Sequence, residues 1–567
     1  MIRSLLCSAA FAALAVSFDP APVQAGAGDY LAGRQAAMDS DFAAAARYLS
    51  AALARDPGNA ELMGDVVAAQ LALGRLDRAL PIAQLMEERG FRSQIAHIVI
   101  TGDLLAREDY SGFLQRDRDT QGIGPLVDGL LEGWALIGAG NTAAAMATFD
   151  DLSEKQGLRG FAMYHKALAL ASVGDFAAAE AIFAAGDNGP LLATRRGVMA
   201  RAEALSQLGR NADALAEISD AFGAARDPGL QILVDRLEAD ETVPFSHVTS
   251  PVEGAGEVFF SVASALRNEA GADYTLLYAR IALHLRPEHV DALLLNAELL
   301  EALEQYDLAT AAYKLVPTDH PAYHAAELGR AAALRQADKP DAAIEVLEQL
   351  AKRYPDLPVV HSTLGDVLRQ QDRFEDAVPA YNRAIELTPE GSRGAWFLHY
   401  ARAICHERNK NWPQAEADFR RALELNPGQP QVLNYLGYSL VEMQIKLDEA
   451  LEMIEEAVAA SPDTGYIVDS LGWVLYRLGR YDEAVGHMER AVELMPVDPV
   501  VNDHLGDVYW SVGRVREAEF QWMRALSFVD EEQPGDAQPD RMRRKLEMGL
   551  DAVLAEEGAA PLQVAEE

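Results

Sequence analysis

Apolar positions along this chain recur at helical spacing, and they do so in paired stripes. Between Pro358 and Gly391, Leu364, Gly365 and Leu368 form one stripe, Phe374 follows at a break, and Ala377, Tyr381 and Ala384 form a second before Pro389. Recurrence three and four residues apart places such residues on one face of a helix. Val468–Pro496 repeats the arrangement with Leu471, Gly472, Leu475, Gly479, Tyr481, Ala484, Met488 and Ala491. The spacing predicts helix pairs joined by short turns and an all-α chain.

The unit repeats. Ala263, Ala297, Ala331 and Gly365 lie 34 residues apart, and Ala403, Gly437, Gly472 and Gly506 continue the series with small insertions. A second small residue follows twelve positions after most of them, as Ala309, Ala343, Ala377, Ala415, Ala484 and Ala518; Ala450 follows Gly437 one residue later. Pro287, Pro321, Pro355, Pro389, Pro427, Pro462 and Pro496 close the units. The small residues predict where the two helices approach, and the proline stops the second helix. A lone hairpin cannot bury its apolar face, so stacked neighbours complete the core.

The 34-residue period, the Leu-Gly-x-x-Leu of the first helix and the Gly479–Ala484 turn (GRYDEA) resemble the tetratricopeptide-repeat (TPR) family. The resemblance implies an α-solenoid of stacked antiparallel helix pairs in a right-handed superhelix, acting as a protein-binding scaffold. It is strong over residues 256–530, about eight units. Over 26–239 it is divergent, with turns marked by Gly74, Gly140, Gly174 and Gly209 and followed by Ala79, Ala145, Ala179 and Ala214. Phe91–Gly124 is degenerate, with Arg107–Tyr110 as its candidate turn. Residues 240–255, holding Pro244 and Pro251, are expected to be a linker between two solenoid halves. Residues 531–539 form a second linker, 540–557 a capping helix with Leu546, Leu550 and Leu554, and 558–567 a disordered tail.

Composition narrows the function. A formal net charge of −38 argues against nucleic acid and against docking on anionic lipid. Cys7 and Cys405 make no disulfide framework. Residues 1–25 read as a signal peptide: Arg3, the apolar stretch Leu5–Phe18, then Val23-Gln24-Ala25 before Gly26. Cys7 is badly placed for a lipobox, so the expectation is an exported, soluble, periplasmic chain with neither a lipid anchor nor a transmembrane segment. No phosphate-cradling glycine loop, nucleophile elbow or zinc-binding motif stands out. His399, Cys405 and His406 are the nearest thing to a cluster, and they read as packing. The reading is non-enzymatic, with no cofactor and no metal.

In the TPR family the groove is lined from set positions of the first helices. Carried onto this sequence, they give Phe397, Tyr400, Ile404 and Arg408, then Asn434, Tyr438 and Glu442. The next units give Tyr466, Asp469, Trp473, Tyr476 and Arg477, then Asp503, Asp507 and Trp510. Aromatic side chains with a polar tip supply contact area at low entropy cost. Trp473, Tyr476 and Trp510 are the strongest candidates. Position 9 of successive units reads Asp366, Ile404, Tyr438, Trp473 and Asp507, so the asparagine of a chaperone carboxylate clamp is missing there, and lysine is absent from the groove slots.

Leu433–Leu440, Leu447–Ile454, Tyr466–Tyr476 and Asp503–Trp510 resemble, more narrowly, long exported TPR proteins of proteobacteria. Some of those are lipoprotein adaptors that bring a periplasmic carboxyl-terminal processing protease together with cell-wall hydrolases. The resemblance implies such an adaptor here. The alternative is a scaffold for envelope or exopolysaccharide assembly or secretion machinery.

Overall fold

A computed structural model describes residues 25–558, apart from 186–188, 224–226, 390 and 533. The expected leader up to residue 24 and the expected tail from 559 lie outside the described residues. The described residues form helices joined by turns, with no strand among them. The chain divides into two compact units, Met1–Val346 and Leu347–Glu567, and the division falls inside the helix Pro340–Arg353.

One pair shows how the sequence makes the unit. Pro499 opens the helix Pro499–Ser511, and the Asp498 carboxylate accepts from the N–H groups of Val500 and Val501. Proline loses nothing there, because the first-turn N–H groups have no partner inside the helix. The helix ends where Gly513 takes φ +78°. The N–H of Arg514 reaches Tyr509 O at 2.9 Å and that of Gly513 reaches Trp510 O at 3.0 Å, the paired closure of a left-handed cap. The second helix, Val515–Phe528, then starts. Gly74, Gly140, Gly174, Gly209 and Gly479 hold the same left-handed slot in other pairs; Glu108, Glu304, Asp338, Asp372 and Lys410 hold it elsewhere.

The small residues mark the approach of the paired helices, as at Gly437, where an added Cβ would lie 3.1 Å from Ala450 O. Ala377, Ala415, Ala450, Ala484 and Ala518 are fully buried, as predicted. The first-helix glycine also makes room for a large side chain further along the second helix. A Cβ on Gly365 would lie 2.9 Å from the Tyr381 ring and one on Gly437 2.7 Å from Ile454. Gly472 is covered in this way by Met488, and Gly506 by the indole of Trp522.

In the first unit, residues 240–255 are not a linker between halves. The loop ends at Ser250, which caps the helix Pro251–Leu266 by accepting from Glu253 N. Pro251 is a helix start, a role that proline shares with chain breaks. Val243 and Val248 are buried. Val243 is fastened to the helix Arg195–Gln207 through Ser206 Oγ at 2.8 Å and the Gln207 amide at 2.7 Å. From here two successive helices, Pro251–Leu266 and Ala272–Leu285, fold back on earlier repeats. Gly254 lies against the Trp134 ring, and Arg280 Nε donates to Ala72 O at 2.8 Å across 208 residues.

The second unit comprises the pairs from Pro358 onward, ending in a cap. The cap is two helices, Pro539–Met548 and Leu550–Glu556, where one had been predicted. Gly549 breaks it at φ +81°, and a Cβ there would meet the Trp510 ring at 2.7 Å.

Candidate binding groove

The first helices of the second unit that carry the expected site residues are Ala395–Arg408, Pro430–Glu442, Gly465–Arg477 and Pro499–Ser511. Along this face the residues divide by exposure. Phe397 and Tyr466 are open to solvent, at 39% and 44%. Tyr400 is half-buried, edge-on to Tyr435 with ring centroids 6.1 Å apart. Burial pushes the Tyr400 hydroxyl up to about 12. Asn434 is buried, and among the described residues its side-chain oxygen has no hydrogen-bond partner.

Further along, Trp473 is the hub, and it is packed where the sequence reading expected a presented ring. It stacks on Tyr476, with centroids 4.8 Å apart and planes 16° from parallel, and on His504 at 4.0 Å and 15°. Its indole N–H donates to Glu442 Oε1 at 2.6 Å. Trp473 and Tyr476 are each only 7% exposed. Asp469 holds the His504 ring, with Nδ1 3.0 and 3.1 Å from its two oxygens. The Arg477 guanidinium lies 5.9 Å from the centre of the Trp473 ring. Tyr438, Trp473, Tyr476, Arg477, Asp503 and His504 line one cavity of about 180 Å³ together with residues of the terminal segment.

That terminal segment accounts for the remaining candidates. The ammonium of Lys545, itself buried, donates to both oxygens of Asp503 at 2.9 Å and to Asp507 Oδ1 at 2.6 Å. Asp507 also accepts from the Trp522 indole at 2.9 Å. Burial, with Asp507 adding to it, raises the Asp503 carboxyl above its ordinary range against the pull of Lys545. Trp510 donates to Asp551 Oδ2 at 3.0 Å. Asp503 and Trp510, expected to face a partner, are therefore engaged by the chain's own cap. A helix beyond the 531–539 linker gave no signal of this; the amphipathic spacing of 540–557 showed a cap but not its target.

His399 and Cys405 sit in packing positions. His399 Nδ1 lies 3.0 Å from Asp418, and burial pushes the enclosed Cys405 thiol up to about 12. Among the described residues, no three His, Cys, Asp or Glu side chains gather to hold a metal ion.

The first unit holds a larger cavity, of about 430 Å³, that sequence reasoning missed. Arg195, Arg196, His247, His289, Asp291 and His320 are among its walls. Behind it the fully buried Glu257 accepts from Arg196 twice at 2.7 Å, from the Tyr164 hydroxyl at 2.8 Å, and faces His289 Nε2 at 3.2 Å. Burial opposes the charge on Glu257, but Arg196 and His289 hold its carboxyl well below the ordinary range. Nearby, burial lowers His165 to about 4, so it sits neutral between the Trp134 indole and Ser261.

Paired helices stacked in succession define a helical-repeat protein. Tetratricopeptide-repeat family models match residues 36–97, 328–392, 362–430 and 468–496. Over those residues the chain carries tetratricopeptide repeats. It is 30% identical over 156 residues to the TPR repeat-containing protein PA4667 of Pseudomonas aeruginosa, covering 27% of this chain and 26% of that one. It is 27% identical over 172 residues to human tetratricopeptide repeat protein 13, covering 30% and 19%. The chain thus matches about a quarter or less of the length of these two relatives. Among solved structures, the Cut9–Hcn1 hetero-tetramer of the APC/C is similar over 93% of this chain and 97% of that one, at 13% identity and a TM-score of 0.37. Among the described residues, no helix is long and apolar enough to cross a membrane.

Proposed function

We propose that this protein is a scaffold whose second unit captures a partner segment on its first-helix face, between Phe397 and Arg477. The observation that carries the reading is the change in burial along that face. Phe397 and Tyr466 stand open to solvent, while Trp473, Tyr476 and Arg477, further along the first helices, wall a cavity. Exposed aromatic rings and a preformed recess along one row of helices suit peptide capture. We further propose that the chain acts in an exported compartment, as an adaptor that brings a carboxyl-terminal processing protease to its substrates. The signal-like residues 1–25 and the resemblance to exported proteobacterial repeat proteins support this.

The test is a pull-down with the chain beginning at Gly26, from an envelope extract of its own source, read by mass spectrometry. Phe397→Ala/Tyr466→Ala is the control, because exposed rings are removed without touching the core. Recovery of a processing protease that the double variant loses is the expected result. Recovery of envelope-assembly machinery with no protease would replace the adaptor reading with the assembly scaffold. Capture indifferent to the variant would move the site off this face.

A further inference from the structure

Among the described residues, Arg477 is the one basic side chain of the second unit's cavity left without a counter-ion; the Glu442 carboxylate of the same wall is bonded only to the neutral Trp473 indole. Among the described residues it makes no ion pair and no hydrogen bond, and its Nε is enclosed without an acceptor. The carboxylates around it are engaged elsewhere. Glu442 holds the Trp473 indole, Asp469 holds His504, and Asp503 and Asp507 hold Lys545. The other guanidinium at the cavity, that of Arg541, is bonded to Glu557 and Asp507. A buried donor without a partner costs free energy, and a guanidinium is matched in shape and charge by a carboxylate. The cavity therefore has the chemistry of a carboxylate receptor, inside a chain of net charge −38.

The same cavity is partly covered by an acidic turn of the chain itself. Gly535 takes φ +58° and the Ala537 N–H reaches Pro534 O at 3.0 Å, which folds Pro534–Ala537 tightly. Ala537 is buried against Ala525 and Met542. Asp536, Ala537 and Gln538 form part of the cavity wall, with Tyr438, Trp473 and Arg477. From there the Asp536 carboxylate meets Arg408 at 3.5 Å, a residue 128 positions earlier on the helix Ala395–Arg408. At that distance the contact is a weak one. What the sequence offers as a linker thus lies along the binding face, presenting a carboxylate to it.

We infer that Arg477 docks a carboxylate side chain of an extended acidic partner segment, and that the Pro534–Gln538 turn is an internal competitor for this place, held by Asp536 on Arg408. The inference rests on the groove reading proposed above and names the partner's chemistry and the device that regulates entry. A tethered competitor acts at millimolar effective concentration, so even a 3.5 Å contact lowers the apparent affinity for an outside segment. The partner gains entry by supplying more carboxylates, or better placed ones, than the turn does.

The experiment uses the chain from Gly26 to Glu567 and a fluorescent synthetic peptide with the sequence of residues 530–539, titrated by anisotropy. Asp536→Ala should tighten peptide binding about threefold or more, because the binding-competent fraction rises. Arg477→Gln, in that background, should weaken it about tenfold or more, since a charge-assisted pair is lost. A peptide with its Asp and Glu changed to Asn and Gln should not bind. Melting curves confirm that each variant is folded, and Arg477→Lys, which keeps the charge, should retain part of the binding. Equal binding by the neutral peptide, indifference to Arg477→Gln in a folded protein, no effect of Asp536→Ala, or no peptide binding to any variant would each overturn the inference. If the peptide fails while partner capture still depends on Phe397 and Tyr466, this inference falls and the groove reading stands. If capture is indifferent to those residues, the groove reading falls.

Discussion

The imidazole of His504 lies flat on the indole of Trp473, with ring centroids 4.0 Å apart and planes 15° from parallel. Asp469 holds that imidazole from its edge. The stack joins two successive first helices, Gly465–Arg477 and Pro499–Ser511. Burial alone would push the His504 pKa down, but the attraction of Asp469, with Asp503 and Asp507 nearby, outweighs it and raises the pKa above the ordinary value. A charged imidazolium over an indole face is favourable in itself.

A pH dependence follows from that sign. The folded pKa is raised above the unfolded value of about 6.5, so the stabilisation is fully present below about 6.5 and is lost as pH rises through the folded pKa. The melting temperature of the wild type should fall relative to His504→Gln as the pH is raised from 6 to 9. Parallel thermal melts of the two proteins check this, and parallel curves would show that the ring is not titrating.

Lys545→Met should destabilise the second unit by about 3–5 kcal/mol, the cost of leaving buried charge without its partner. Asp503 and Asp507 would lose the ammonium they share. Adding Asp503→Asn and Asp507→Asn to Lys545→Met should recover much of the loss, since no carboxylate then needs a counter-ion. Chemical denaturation of the single and triple variants measures both effects.

Trp473→Ala should lower stability by about 3–5 kcal/mol, as large-to-small changes in packed sites do. By sequence position Trp473 is one of the strongest groove candidates. The stacks on Tyr476 and His504 and the bond to Glu442 make the ring part of the packed interior. Denaturation midpoints for Trp473→Ala and Tyr466→Ala separate the two roles, because Tyr466 is open to solvent and its loss should change the midpoint little.

Gly506→Ala should cost more than Gly472→Ala, with the first in the range of about 1–3 kcal/mol for overpacking. The added methyl at Gly506 meets the Trp522 ring, which is rigid and fully buried. At Gly472 it meets the Met488 side chain, which is more adaptable than a ring, and the Met488 backbone N at 3.3 Å. Both should lose stability without losing helix content, as circular dichroism at low and high temperature would show.

In the first unit, Glu257→Gln should remove stability that the wild type has at neutral pH and loses in acid. The Glu257 carboxyl is held well below its ordinary range, by Arg196 and His289 against burial. Its contribution is therefore complete above the unfolded value of about 4.3 and declines as pH falls through the folded pKa. Melts from pH 7 downward should show wild type and variant converging at the acid end.

The repeat itself was legible in the sequence, because it is local. Small residues at a 34-residue period, prolines after the second helices and glycines in the turns each act through neighbours a few residues away, and the structure places helices and left-handed turns there. Tertiary packing decided what that period does not encode. Pro251 reads as a chain break but opens a helix that returns to Trp134, because only the fold shows what lies opposite Gly254. Asp503 and Trp510 occupy groove positions by count, yet Lys545 and Asp551 cover them from a segment about 40 residues later. Asp536 lies in what reads as a polar linker and meets Arg408 across 128 residues. Periodicity fixes which face of a helix is buried against its own hairpin. Which distant segment comes to rest on the face left over depends on long-range shape and charge, and those exist only once the chain has folded.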